Sequence, residues 1–115
     1  CHKIAENDQF LAFLDAFPLV EGHTLVIPKR EVDYFFDMDE ESLSSINQFA
    51  KEVAAKMKRA LPCHRIGITV IGLEVPHAHM HLIPLNQVSD MNFEKPKLVL
   101  NSEELASIAE RIRQA

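Results

Sequence analysis

The sequence predicts an α+β fold, an antiparallel sheet with a long helix packed on one face and a C-terminal helix. Three observations carry that reading. Apolar residues recur at spacings of three and four over one long stretch, and they cluster in several short runs elsewhere. Pro or Gly punctuates most of the boundaries between these stretches. The order that results is strands, long helix, strands, helix, which favours helices on one face of an antiparallel sheet.

Residues 9–14 (Gln-Phe-Leu-Ala-Phe-Leu) are short and apolar and read as a strand, and residues 15–22, with Pro18 among them, read as a turn. Residues 23–28 are a second strand rich in β-branched side chains, ended by Pro28. Their short connection makes an antiparallel hairpin. In the helix, Leu43, Ile46, Phe49, Ala50, Val53, Met57, Ala60 and Leu61 share one face. Asp39 caps its start, Glu40 and Glu41 suit its positive end, and Lys56, Lys58 and Arg59 suit its negative end before Pro62 stops it. This helix is a packing element and is assigned no chemistry. Residues 65–75 are almost continuously apolar, which predicts a strand covered on both faces at the centre of the sheet. Pro76 breaks the chain before a further strand at residues 77–84. A last helix is expected at about 102–113, with Asn101 and Glu104 at capping-box positions.

At 115 residues the chain makes one domain with a single core. Apolar residues at 47% and charged residues at 25% are an ordinary balance for a globular protein. No stretch approaches the ~18 apolar residues of a membrane span, so no membrane partner is expected. A net charge of −5 with dispersed lysines and arginines argues against a nucleic-acid partner, while leaving a small phosphorylated ligand open. Cys1 and Cys63 are too few for a disulfide scaffold, and a reduced, cytoplasmic setting is expected. The chain opens on Cys1 instead of Met, which points to an upstream piece able to carry a targeting signal.

The chemistry concentrates in His77-Ala78-His79-Met80-His81. Side chains alternate across a strand, so the three histidines face one side while Ala78, Met80 and Leu82 face the other, toward the long helix. Consecutive histidines are then about 6.6 Å apart between Cα atoms, a central nucleophile with proton-handling groups on either side. Two other readings stand beside this one. Three histidines can line a solvated strand edge, or a pair of them can ligate a metal as His-x-His with His23, His64 or Glu74. The first and third lie about 13 Å apart, too far to share one ion.

The run His77-Ala78-His79-Met80-His81-Leu82-Ile83 resembles the signature of the histidine-triad family. So does the upstream stretch Phe13-Leu14-Asp15, Pro18, and Gly22-His23-Thr24-Leu25-Val26-Ile27-Pro28-Lys29, at the expected distance and with the helix between. The resemblance implies an α+β homodimer that acts on nucleoside phosphate derivatives, adenosine-containing ones first, without cofactor or metal. It implies that His79 attacks the α-phosphorus to give a covalent nucleotidyl-histidine that water then cleaves. His77 and His81 resemble the flanking members that bind phosphate oxygens or orient the nucleophile, and His23 resembles a fourth histidine from the neighbouring strand. Asp15 resembles the carboxylate that accepts from the ribose hydroxyls. Phe13, Leu14, Ala16 and Leu25 resemble the apolar lining of the base pocket. From the residues alone, His23 is equally a structural histidine, Asp15 a turn aspartate, and the apolar four core.

Three departures from the family pattern stand out. Where many members have Gly-Gln-Ser or Gly-Gln-Thr, this chain has Gly72-Leu73-Glu74. Leu73 donates nothing and an ionised Glu74 opposes a phosphate, so Glu74 is expected to pair with His77 or His23 and to serve the leaving group. The usual N-terminal segment is largely missing, and with it part of the base pocket. Glu31 stands where zinc-binding members tend to have histidine. Two rival functions remain: a catalytically weak nucleotide-binding regulator, and a metal-dependent hydrolase.

Overall fold

The computed structural model describes residues 1–115. The hairpin forms from β2 (Phe10–Leu14) and β3 (Thr24–Pro28), paired antiparallel with Phe13 opposite Leu25 and Leu14 opposite Thr24. The turn between them depends on Gly22, whose φ of +92° lies in the region that favours glycine. A Cβ there would also collide with the Leu61 side chain. One strand was not expected: β1 (Lys3–Glu6) pairs with β2 and forms one edge of the sheet.

The long helix α1 (Glu40–Ala60) begins as its capping residue predicts, Asp39 accepting from the Ser42 backbone N–H at 2.7 Å. Its inward stripe is Ile46, Phe49, Ala50, Val53 and Met57. The C-terminal helix α2 (Ser102–Gln114) carries the expected reciprocal cap between Asn101 and Glu104 and buries Leu105, Ile108, Ala109 and Ile112. Both stripes join one core with Phe10, Ala12, Leu14, Val26, Met80 and Leu82. Each of these large side chains contributes roughly 1.5–3 kcal/mol by burial. No helix is long and apolar enough to cross a membrane.

Two expectations about the second half of the sheet are corrected. With β5 at Met80–Leu85, the five strands run in the order β1-β2-β3-β5-β4, so β4 (Arg65–Thr69) is an edge strand and not a central one. Residues 70–75 lie outside it, and Ile68, Ile71, Leu73 and Val75 are exposed. A continuous apolar run requires cover but does not say that the same chain provides it. The second correction concerns β5, which spans Met80–Leu85, so His77 and His79 precede the strand. Pro76 and the bonding of the histidines themselves hold that segment out of regular pairing. Its backbone is tied instead by the Ala78 N–H, which donates to the Val32 carbonyl at 2.6 Å.

Candidate active site

The sheet has one face packed on the helices and one that carries the histidines. In β5, Met80 and Leu82 enter the core while His81 lies on the opposite face, in register with Leu25 of β3 and Thr69 of β4. Leu25 in turn stands opposite Phe13, so Phe13, Leu25 and His81 form one cross-strand row. Leu14 sits on the other face and belongs to the core. Ala16 is exposed in the turn after β2, and Asp15 is partly buried beside it.

The imidazoles are oriented by partners that dictate their tautomers. Carbonyl oxygens only accept, so a ring nitrogen bonded to one must carry a proton. His79 Nδ1 donates to the His77 carbonyl at 2.8 Å, which leaves its Nε2 as a lone pair. The His77 ring donates from Nε2 to the Pro28 carbonyl at 2.9 Å. His23 accepts the Leu19 backbone N–H at Nδ1, 3.1 Å, so its neutral ring carries hydrogen on Nε2 and donates that to His81 Nδ1 at 2.9 Å. His81 therefore has its own hydrogen on Nε2. The geometry thus yields two imidazoles with a free basic nitrogen, His79 at Nε2 and His77 at Nδ1, and beside His79 one with a free N–H, His81. The His79 and His81 ring centroids are 4.9 Å apart.

Burial keeps the relay neutral. His23 is 1% exposed and His81 6%. Desolvation, and then the Lys97 charge, lowers the His23 pKa from 6.5 to about 4. For His81, desolvation comes first, followed by the charges of His23, His79 and Lys97, with Asp15 opposing, and the value again falls to about 4. The Asp15 carboxylate accepts the Phe17 N–H at 2.9 Å through one oxygen and places the other 3.7 Å from His23 Nε2. Near neutral pH that contact is charge to neutral ring, not an ion pair.

One candidate metal grouping involves a single triad histidine. Asp15, His23 and His81 bring one ligand atom each within 4.8 Å of one another, a grouping the strand-spacing argument did not expect. Its donor chemistry fits a hydrogen-bond relay better than an ion. With His23 Nδ1 already accepting from Leu19, a cation on Nε2 would have to displace the proton that bonds His81.

Glu74 is exposed and makes no hydrogen bond or ion pair, so the expected pairing with His77 or His23 does not form. Residues 72–75 all lie exposed, which removes any need for a buried partner. Two residues that sequence reasoning missed do reach the site. The Phe93 ring packs edge-on against His81 at 4.8 Å and His23 at 6.1 Å between centroids. Lys97 lies over Phe93 at 5.6 Å. An isolated aromatic in a polar stretch and one lysine among twelve cations carry no periodic signal.

This arrangement has relatives. The HIT domain profile matches residues 1–88. A HIT-like protein of Mycoplasma pneumoniae is 42% identical over 87 residues, covering 71% of this chain and 60% of that protein. The chain spans 60 to 62% of the length of the mycoplasmal relatives it matches. An adenosine 5'-monophosphoramidase of Schizosaccharomyces pombe is 30% identical over 118 residues, covering 97% of this chain and 86% of the enzyme. Among solved structures, a HIT-like protein of Bartonella henselae superposes with a TM-score of 0.83 at 30% identity, over 97% of this chain and 84% of that one. With the HIT domain profile matched over residues 1–88 and a fold shared with such relatives, the chain belongs to the HIT domain family.

Proposed function

We propose that this protein is a metal-independent nucleotide hydrolase or nucleotidyl transferase acting at the α-phosphate of a nucleoside phosphoramidate, dinucleoside polyphosphate or nucleotide conjugate. The observation that carries it is the His79 Nδ1 bond to the His77 carbonyl, which reserves Nε2 as the nucleophile. In the first step Nε2 forms a bond to phosphorus as the bond to the leaving group breaks. The resulting imidazolium keeps its Nδ1–H on the carbonyl, so its positive charge is stabilised as it develops. His81 offers only the Nε2–H of a neutral ring, which donates a hydrogen bond to a phosphate oxygen or to the departing group. Water then attacks phosphorus, the P–N bond breaks, and the nucleoside monophosphate leaves with His79 neutral again.

Phe13 and Leu25, in the row with His81, suit the base, and Asp15 suits the ribose hydroxyls. Adenosine is the favoured nucleoside, on the strength of the phosphoramidase relative. The exposed apolar run beyond β4, with Tyr34 and Phe36 exposed near the same edge, suits a homodimer formed through that edge. Two free cysteines suit a reducing cytoplasm. One observation favours a second reading, a catalytically weak nucleotide-binding regulator: Gly72-Leu73-Glu74 brings no neutral side-chain donor to a phosphate.

A panel of adenosine phosphoramidates and dinucleoside polyphosphates, run with wild type and His79→Ala, tests the proposal. Turnover by wild type and none by the variant, with AMP affinity kept within a few-fold, is the expected result. Turnover by His79→Ala at the wild-type rate contradicts it, and no turnover by wild type on any substrate favours the regulator.

A further inference from the structure

The nucleotide reading leaves an electrostatic gap. A phosphate needs positive charge or several donors, yet His23 and His81 are neutral near pH 7 and the loop before the triad carries the Glu74 carboxylate. Lys29, just after β3, is already shared with Glu6 at 3.5 Å. One cation near the histidines is uncommitted. Lys97 makes no ion pair, and its ammonium donates a single bond, to the Phe93 carbonyl at 2.8 Å. An ammonium has three donors, so two remain.

The segment that carries Lys97 is held at both ends. On one side the Phe93 ring rests against His81 and His23, 4.8 and 6.1 Å between centroids, and lies under the Lys97 ammonium. On the other side the Leu98 N–H donates to the Pro18 carbonyl at 2.8 Å, within the turn that bears Asp15. Lys97 is exposed between these two anchors, and its charge reaches both buried histidines.

Resting on the nucleotide reading above, we propose that Lys97 is the phosphate-binding cation of this site, delivered by the Phe93–Leu98 segment in place of neutral donors in the loop before the triad. The group it takes is the phosphate of a nucleoside monophosphate moiety. Phe93 acts as the positioning residue, holding the ammonium beside the histidines.

The ratio of AMP to adenosine affinity isolates the phosphate, because the two ligands share base and ribose. Titration calorimetry of both ligands should show wild type preferring AMP. Lys97→Gln should lower AMP affinity about tenfold and leave adenosine unchanged, the loss expected for one charge-assisted contact. Lys97→Arg should retain most of the preference, and Lys95→Gln, which removes a neighbouring charge, should leave it intact. A Lys97→Gln protein with the wild-type ratio, or with both affinities reduced together, overturns the role of Lys97 alone. A wild type that binds AMP no better than adenosine overturns it together with the nucleotide reading.

Discussion

Replacing His23 with Phe separates what the histidine relay does for the fold from what it does for the chemistry. The substitution keeps an aromatic ring of similar volume against Phe93 and His81 and removes both nitrogens. The Leu19 N–H then loses its acceptor and His81 Nδ1 its donor, 3.1 and 2.9 Å away in the native site. Each orphaned buried group costs roughly 1–3 kcal/mol, so the pair costs on the order of 3 kcal/mol. For a chain of this size that lowers the melting temperature by roughly 10 °C. His81 also loses the bond that keeps its proton on Nε2. Its two tautomers then compete, and turnover should fall several-fold even where the variant is fully folded. Thermal unfolding followed by circular dichroism reads the first effect, and nitrogen-15 NMR of the imidazoles reads the second. A variant that melts with wild type and still holds His81 protonated on Nε2 would refute the relay.

Three further outcomes follow from the same geometry. His23 and His81 have folded pKa values lowered to about 4 from 6.5, so the unfolded chain binds more protons between those values. Stability is therefore full above pH 6.5 and falls as pH drops toward 4, by about 3 kcal/mol for either histidine at the lower limit; urea midpoints across that range should show the decline. Turnover should survive exhaustive treatment with EDTA, since both His23 nitrogens and His81 Nδ1 are committed to hydrogen bonds; loss with EDTA and recovery on zinc would favour a metal-dependent hydrolase instead. Ile68→Asp, at the exposed edge strand, should convert a dimer to a monomer in light scattering, whereas a wild type that is monomeric at micromolar concentration would count against assembly through β4.

Much of the fold was legible because its signals are local. The hairpin, the Asp39 cap and the Asn101–Glu104 box depend on neighbours within a few residues. What escaped depends on partners distant in sequence. β1 is four residues of mixed polarity, and pairing with β2, not its own composition, makes it a strand. The run at 65–75 read as central because periodicity reports the need for cover and not its source. The triad read as three strand positions, but β5 starts only at Met80, and His79 before it bonds the carbonyl two residues back. Alternation along β2 could have separated Leu14 from Phe13, since only one of two adjacent strand residues can face the histidines. Phe93 and Lys97 gave no sign, because their role depends on a long segment folding back across β5.

Catalysis by His79 is tested most directly by rapid-quench mass spectrometry on wild type mixed with an adenosine phosphoramidate. A transient protein species heavier by one adenylyl group, acid-labile and mapped by peptide fragmentation to His79, is the predicted result. It should be absent in His79→Ala and present in His77→Ala. Turnover with no such species at any time, or an adduct mapped to another residue, would contradict the mechanism.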